Sequence, residues 1–114
     1  MGFVDFKNVY QMLDATVQSQ KDAEAFRTIH TPERTSSVTW REFQALVRRV
    51  GKSLIALGVG HGDKISILSY SCYNWVLTDI GTGSIGSVAV GIYHTNLAKD
   101  CRYIIDHADA VLVF

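Results

Sequence analysis

Three apolar runs rich in β-branched residues punctuate the second half of the chain: Ile65-Ser-Ile-Leu68, Val88-Ala-Val-Gly-Ile92 and Ala110-Val-Leu-Val-Phe114. Two segments of helical length and period separate them. In the first, Tyr73, Val76, Leu77, Ile80 and Ser84 fall on one face; in the second, Leu97, Cys101, Ile104, Ile105 and Ala108 do, with Asn96 placed to cap it. Strand, helix, strand, helix, strand predicts βαβ units and a parallel sheet with helices packed on it.

The first half has a different rhythm. Phe6, Val9, Tyr10, Leu13 and Val17 form one apolar stripe and predict a helix from about Phe6 to Gln20. After the polar turn Ser19–Asp22, Ala25-Phe-Arg-Thr-Ile-His30 alternates apolar and polar as a half-exposed strand does. Thr31–Ser36 holds the only proline and reads as a loop, returning through Ser37-Val-Thr39 to make a hairpin. Thr39-Trp-Arg-Glu42 then has the form of a capping box. Phe43, Leu46, Val47, Val50, Leu54 and Leu57 continue as a stripe, and Gly58 supplies a left-handed stop. The predicted fold class is α/β: helix, short hairpin and helix over residues 1–62, then a βαβαβ partial parallel sheet over 63–114.

Composition changes this picture little. The 114 residues are 47% hydrophobic and 19% charged with zero net charge, so nothing favours nucleic acid or an anionic membrane as partner. Arg41, Arg48, Arg49 and Lys52 lie mainly off the apolar stripe, as a solvated helix face does. Two cysteines, Cys72 and Cys101, are too few for a secreted disulfide scaffold and fit a reducing cytosol. Asp5, Lys7 and Asn8 interrupt any early apolar run, and Met1-Gly2 lacks the Ser or Thr at position 6 that myristoylation favours. Trp75–Tyr93, with Asp79 inside it, is poor material for a membrane span, so a soluble, cytoplasmic protein without a transmembrane segment is expected.

Candidate chemistry is sparse. Gly58-Val-Gly-His-Gly-Asp63 is glycine-rich but follows a helix and precedes a strand, the wrong order for a phosphate cradle. Gly81-Thr-Gly-Ser-Ile-Gly86 has the form G-x-G-x-x-G, with Asp106 twenty residues on, yet it too lies between a helical segment and a strand. Small residues letting a buried helix lie close on the sheet explain it better. His30, His61, His94 and His107 show no zinc-binding spacing. Cys101 with His94 or His107 is conceivable as nucleophile and base, but Cys101 falls on an apolar stripe. Asp100, Asp106 and Asp109 read as solvated acids. No catalytic, cofactor-binding or metal-binding residue is assigned.

Ordered motifs over about two-thirds of the chain add a family resemblance. Val38-Thr-Trp-Arg-Glu-Phe43, Leu57-Gly-Val-Gly-His-Gly-Asp-Lys-Ile-Ser-Ile67, Gly83-Ser-Ile-Gly-Ser-Val-Ala-Val-Gly-Ile-Tyr-His-Thr-Asn96 and Cys101-Arg-Tyr-Ile-Ile-Asp-His-Ala-Asp-Ala110 resemble the N-terminal region of acyl-CoA synthetases in the acyl-adenylate-forming, AMP-binding superfamily. The Gly-Ile-Tyr-x-Thr-Asn wording leans toward the long-chain fatty acid branch.

The resemblance implies a three-layer α/β/α parent enzyme that uses ATP, Mg²⁺ and coenzyme A to convert a carboxylic acid to its acyl-CoA through an acyl-adenylate. The family's phosphate loop ending in Pro-Lys-Gly is not found, Thr82-Gly-Ser-Ile-Gly86 being followed by Ser87 and Val88 instead. None of the family's catalytic residues maps onto positions 1–114. The expectation is an N-terminal fragment, inactive alone, with the rest of the parent enzyme as its partner. Self-association through exposed core surface and the terminal strand is expected too, as is peripheral membrane association of the parent. A stand-alone nucleotide- or acyl-binding module and a non-catalytic interaction domain remain the alternatives.

Overall fold

The computed structural model describes residues 5–114; the Met1-Gly2 reading lies outside them. Helix α1 (Val9–Gln20) is followed by an antiparallel hairpin of β1 (Glu24–Thr31) and β2 (Arg34–Thr39), then α2 (Trp40–Ala56). The rest alternates as β3 (Lys64–Leu68), α3 (Tyr73–Ser84), β4 (Val88–Ile92), α4 (Ala98–Ala108) and β5 (Ala110–Val113). The parallel strands lie in the order β4-β3-β5. This is the α/β architecture the patterning predicts.

Several boundaries differ, each for a local reason. α1 begins at Val9, not Phe6, because the Asn8 side chain accepts the Gln11 amide at 2.9 Å and caps the helix there. The hairpin loop shrinks to Pro32 and Glu33. Thr31 already pairs with Arg34, and its Oγ1 accepts the Arg34 amide at 3.1 Å. A register shift between Glu24 and Phe26 breaks the expected alternation of β1. Ala25 and Phe26 therefore both pack inward, while Ile29 is 72% exposed.

The capping box forms in both directions: Thr39 accepts the Glu42 amide, and Glu42 accepts the Thr39 amide at 2.8 Å. The Thr39 amide, and after it the Thr39 hydroxyl at 2.9 Å, donate to the Glu42 carboxylate and hold it below its ordinary range. Leu57, expected on the inner stripe, is exposed because it lies past the last helical turn. Asn96 does not cap α4. Leu97 occupies that position without a side-chain hydrogen bond, and Asn96 lies in the preceding turn.

The core has two connected parts. Leu13, Phe43 and Val47 are buried among Phe26, Trp40, Tyr73, Val76, Leu77 and Ile80, joining α1, the hairpin, α2 and α3. Leu54, Val59 and Ile65 are buried with Val50, Ile85 and Leu112, joining α2 to the sheet. α2 and α3 approach closely because a Cβ on Gly81 would come within 2.5 Å of Val50 Cγ1. The small residues of α3 thus serve contact with α2 rather than with the sheet. The chain leaves β3 for β4 on one side and β5 on the other. Right-handed crossovers in opposite directions put α3 and α4 on opposite faces, giving three layers.

Candidate functional site

The two ends of the parallel sheet are built from different residues. At the amino end, the two glycine-rich segments clasp each other. The Gly62 amide donates to the Gly86 carbonyl at 2.8 Å, and Ser87 Oγ donates to the Gly60 carbonyl at 2.7 Å. His61 packs so closely on Gly86 (φ 76°) that any side chain there would collide with its ring. Both segments connect a helix to a strand, as their order in the sequence requires. Their glycines close the base of the sheet instead of opening toward a ligand.

The carboxyl end is the ligand-binding end of open α/β sheets. A ligand enters outside the strand ends where neighbouring connections run in opposite directions, here beside β3, between it and β5. The turn from β3 to α3 is Ser69-Tyr-Ser-Cys72, and β4 leads into Tyr93-His94. Tyr70 meets His94 edge-on, with ring centroids 6.3 Å apart. Trp75 covers Gly91, where an added Cβ would lie 3.3 Å from its Cζ2. A concavity of ≈ 310 Å³ is lined by Ser69, Ser71, Trp75, Gly91, Ile92 and Tyr93.

A larger cavity of ≈ 630 Å³ opens between the hairpin and the start of α3, with Phe26, Ile29, His30, Tyr70, Tyr73 and Asn74 among its walls. The Tyr73 hydroxyl is buried without a hydrogen-bond partner among the described residues. Burial, and then the Glu42 carboxylate, push it above its ordinary range. Sequence reasoning did not single out Ser69, Tyr70, Ser71, Tyr73 or Tyr93 as site residues. The available signal was positional: they are the first residues beyond the ends of parallel strands.

The conceivable Cys101 pairings are not brought together. Cys101 Sγ contacts the Asn96 carbonyl at 3.8 Å, His94 turns to Tyr70, and His107 stacks on Tyr103. His30 bonds Ser36 through Nε2 at 2.8 Å. Burial raises the Asp79 carboxyl, which lines a separate ≈ 380 Å³ groove beside α1. Of the helical basic residues, Arg41 pairs with Asp22 at 2.8 Å and Arg48 donates to the Tyr10 hydroxyl at 2.9 Å. Among the described residues no three His, Cys, Asp or Glu side chains form a metal-binding group. No helix among them is long and apolar enough to cross a membrane.

A nucleotide held by this chain alone would need glycine-freed backbone amides after a strand and before a helix. Here that turn, Ser69–Cys72, has no glycine, while the glycine segments lie at the opposite end. The residues do not fit an ATP site, and no catalytic step is assigned to them.

Known proteins place this architecture. The mouse long-chain-fatty-acid–CoA ligase ACSBG2 is 35% identical over 77 residues, covering 68% of this chain and 12% of the ligase. An uncharacterized Mycobacterium tuberculosis protein, Rv1549, is 33% identical over 98 residues, covering 86% of this chain and 54% of that protein. The chain thus spans between about an eighth and about half of these relatives' lengths. A solved Mycobacterium tuberculosis fatty acyl CoA synthetase shares the fold, with a TM-score of 0.84 at 24% identity over 94% of this chain and 21% of that one. The profile described as AMP-binding enzyme matches residues 13–114, and the chain belongs to that family.

Proposed function

We propose that this chain is the N-terminal portion of an ATP-dependent fatty acyl-CoA synthetase of the long-chain type. The parent enzyme would join a fatty acid carboxylate to the α-phosphate of ATP, releasing pyrophosphate. It would then transfer the acyl group from the adenylate to the thiol of coenzyme A, releasing AMP. Mg²⁺ would neutralise phosphate charge in the first step. The 114 residues alone supply scaffold and no chemistry, and act in the cytoplasm with the rest of the enzyme.

The observation that carries this reading is the family match over residues 13–114, joined to a sheet whose ligand-binding end lacks a glycine turn. A chain with the family's opening architecture and no phosphate cradle fits a part of the catalyst better than the whole. The ≈ 630 Å³ cavity beside Phe26 and Tyr73 favours one second reading, a small module binding an acyl group or nucleotide by itself.

ATP–pyrophosphate exchange with palmitate and Mg²⁺ separates them. Exchange by a longer protein that continues beyond residue 114, and none by the 114 residues, is the expected result. Exchange by the short chain overturns the proposal. Micromolar palmitate or ATP binding by the short chain, without exchange, supports the module instead.

A further inference from the structure

The ≈ 630 Å³ cavity beside the hairpin takes its walls from residues 26–74, and none of them lies on a strand of the parallel sheet. Its volume is that of a small-molecule site. Phe26 pairs with Val38 and Thr28 with Ser36, so these four side chains share the hairpin face that turns toward α3. Opposite them stand Tyr70, Cys72, Tyr73 and Asn74, from the β3–α3 turn and the first residues of α3. Phe26 and Tyr73 meet edge-on, with ring centroids 5.1 Å apart, and form an aromatic wall. Ile29 and Tyr70, also in the walls, are 72% and 64% exposed. A flat ring seated here would remove that apolar surface from water.

The polar groups in these walls can all donate hydrogen bonds. α3 opens at Cys72 without a side-chain cap, and the Tyr73 and Asn74 amides have no partner among the described residues. The Thr28 and Ser36 hydroxyls and the Asn74 side-chain amide add to them. Among the described residues no Asp or Glu lines the cavity. The two carboxylates beside its walls are engaged, Glu24 by the Arg27 guanidinium at 3.1 Å and Glu42 by the Thr39 amide at 2.8 Å. Arg27 is the one permanent cation among the lining residues, and Glu24 already shares it. Neutral donors with one shared cation suit a single negative charge; a dianion would need a second cation.

We propose that this cavity is a site for a planar aromatic monoanion. Its ring lies against Phe26, Ile29, Tyr70 and Tyr73, and its charge meets the α3 amides and Asn74. The site is independent of the ligase assignment, which pyrophosphate exchange decides and binding here leaves untouched.

An NMR titration of the 114-residue chain at pH 7 tests it with three ligands that share one ring and differ in charge: 2-naphthoate, uncharged 2-naphthalenemethanol and dianionic 2-naphthyl phosphate. 2-Naphthoate is expected to saturate with a Kd of about 1 mM or tighter, the efficiency ordinary for a ligand of its size. The Thr28, Tyr73 and Asn74 amides should shift. The alcohol should bind roughly tenfold more weakly, and the phosphate no more tightly than the carboxylate. Asn74→Asp places an acid where a helix N-terminus favours one, so α3 stays folded. It should weaken 2-naphthoate roughly tenfold and leave the alcohol unchanged. Four results would each overturn the proposal: no saturation by about 10 mM, shifts confined to other residues, equal affinity for carboxylate and alcohol, or tighter binding of the phosphate. So would an Asn74→Asp chain that binds 2-naphthoate as the natural one does.

Discussion

α2 and α4 are both amphipathic helices beside the three-stranded sheet, yet they are packed very differently. α2 buries Phe43, Gln44, Val47, Gly51 and Leu54, whereas no residue of α4 is buried. α2 opens on a reciprocal capping box; α4 opens at Leu97 with no side-chain cap. Their own patterns do not explain this, since Cys101, Ile104, Ile105 and Ala108 are a sound inner face. Neighbours do. α2 lies among α1, α3 and the hairpin, while α4 packs chiefly on β4 and β5 among the described residues. An amphipathic stripe decides which side turns inward. How far that side is buried depends on what the rest of the polypeptide brings.

The largest effect should come from emptying the α2 side. Phe43 is fully buried, with Phe26 at 4.8 Å and Tyr73 at 6.0 Å between ring centroids. Phe43→Ala removes the ring from the junction of hairpin, α2 and α3. It should cost ~3–5 kcal/mol, read as a lowered urea midpoint. Since whole domains are stable by only about 5–15 kcal/mol, much of the population would unfold. A cost near that of a surface change would mean that α2 and α4 are alike after all.

The contrast also marks what could be read from the residues. The α2 cap, stripe and stop were legible because they obey local rules: Thr39 and Glu42 three apart, Gly58 at φ 90° just past the helix. The order of elements and the helix-to-strand setting of both glycine segments were legible for the same reason. The bulge at Ala25, the early cap at Asn8 and the partner of Gly81 were not. Each depends on which element lies alongside, and one chain's pattern does not state that. The carboxyl-end residues were missed because Ser69–Cys72 carries no motif. They become notable only once strand order puts the reversal beside β3.

Gly81 sharpens the comparison next. Alanine favours helices, so Gly81→Ala would help on propensity alone. Its Cβ, however, would fall 2.5 Å from Val50 Cγ1 and 2.8 Å from Val50 Cβ. Overpacking should win, with a net loss of ~1–3 kcal/mol. Val50→Ala in the same chain should recover part of it, because the two sites share one contact. No recovery would show that the helices are held apart by something other than this pair.

The capping box gives a smaller, pH-dependent effect. Glu42 has a carboxyl lowered from 4.5 in the folded chain, first by the Thr39 amide and then by its hydroxyl. A depressed folded value adds stability above the unfolded value, and that contribution is lost as pH falls through the folded one. Glu42→Gln should therefore melt below the natural chain at pH 7. The gap should close as the pH drops below 4.5. A gap that persists in acid would assign the stabilisation to helix propensity rather than to the charge.

The smallest effect is expected on α4. Ile105 is half-buried against the sheet, so Ile105→Ala should cost only about 1 kcal/mol, a fraction of a full side-chain burial. Hydrogen exchange carries the same point without a substitution. The amides of α4 should open at lower free energy than those of α2, because fewer apolar contacts must break. If α4 opens only with global unfolding, its outer face is held by contacts that its neighbours in this chain do not supply. If α4 gains protection when a longer protein of the family carries the same segment, its looseness comes from missing neighbours and not from a weak helix.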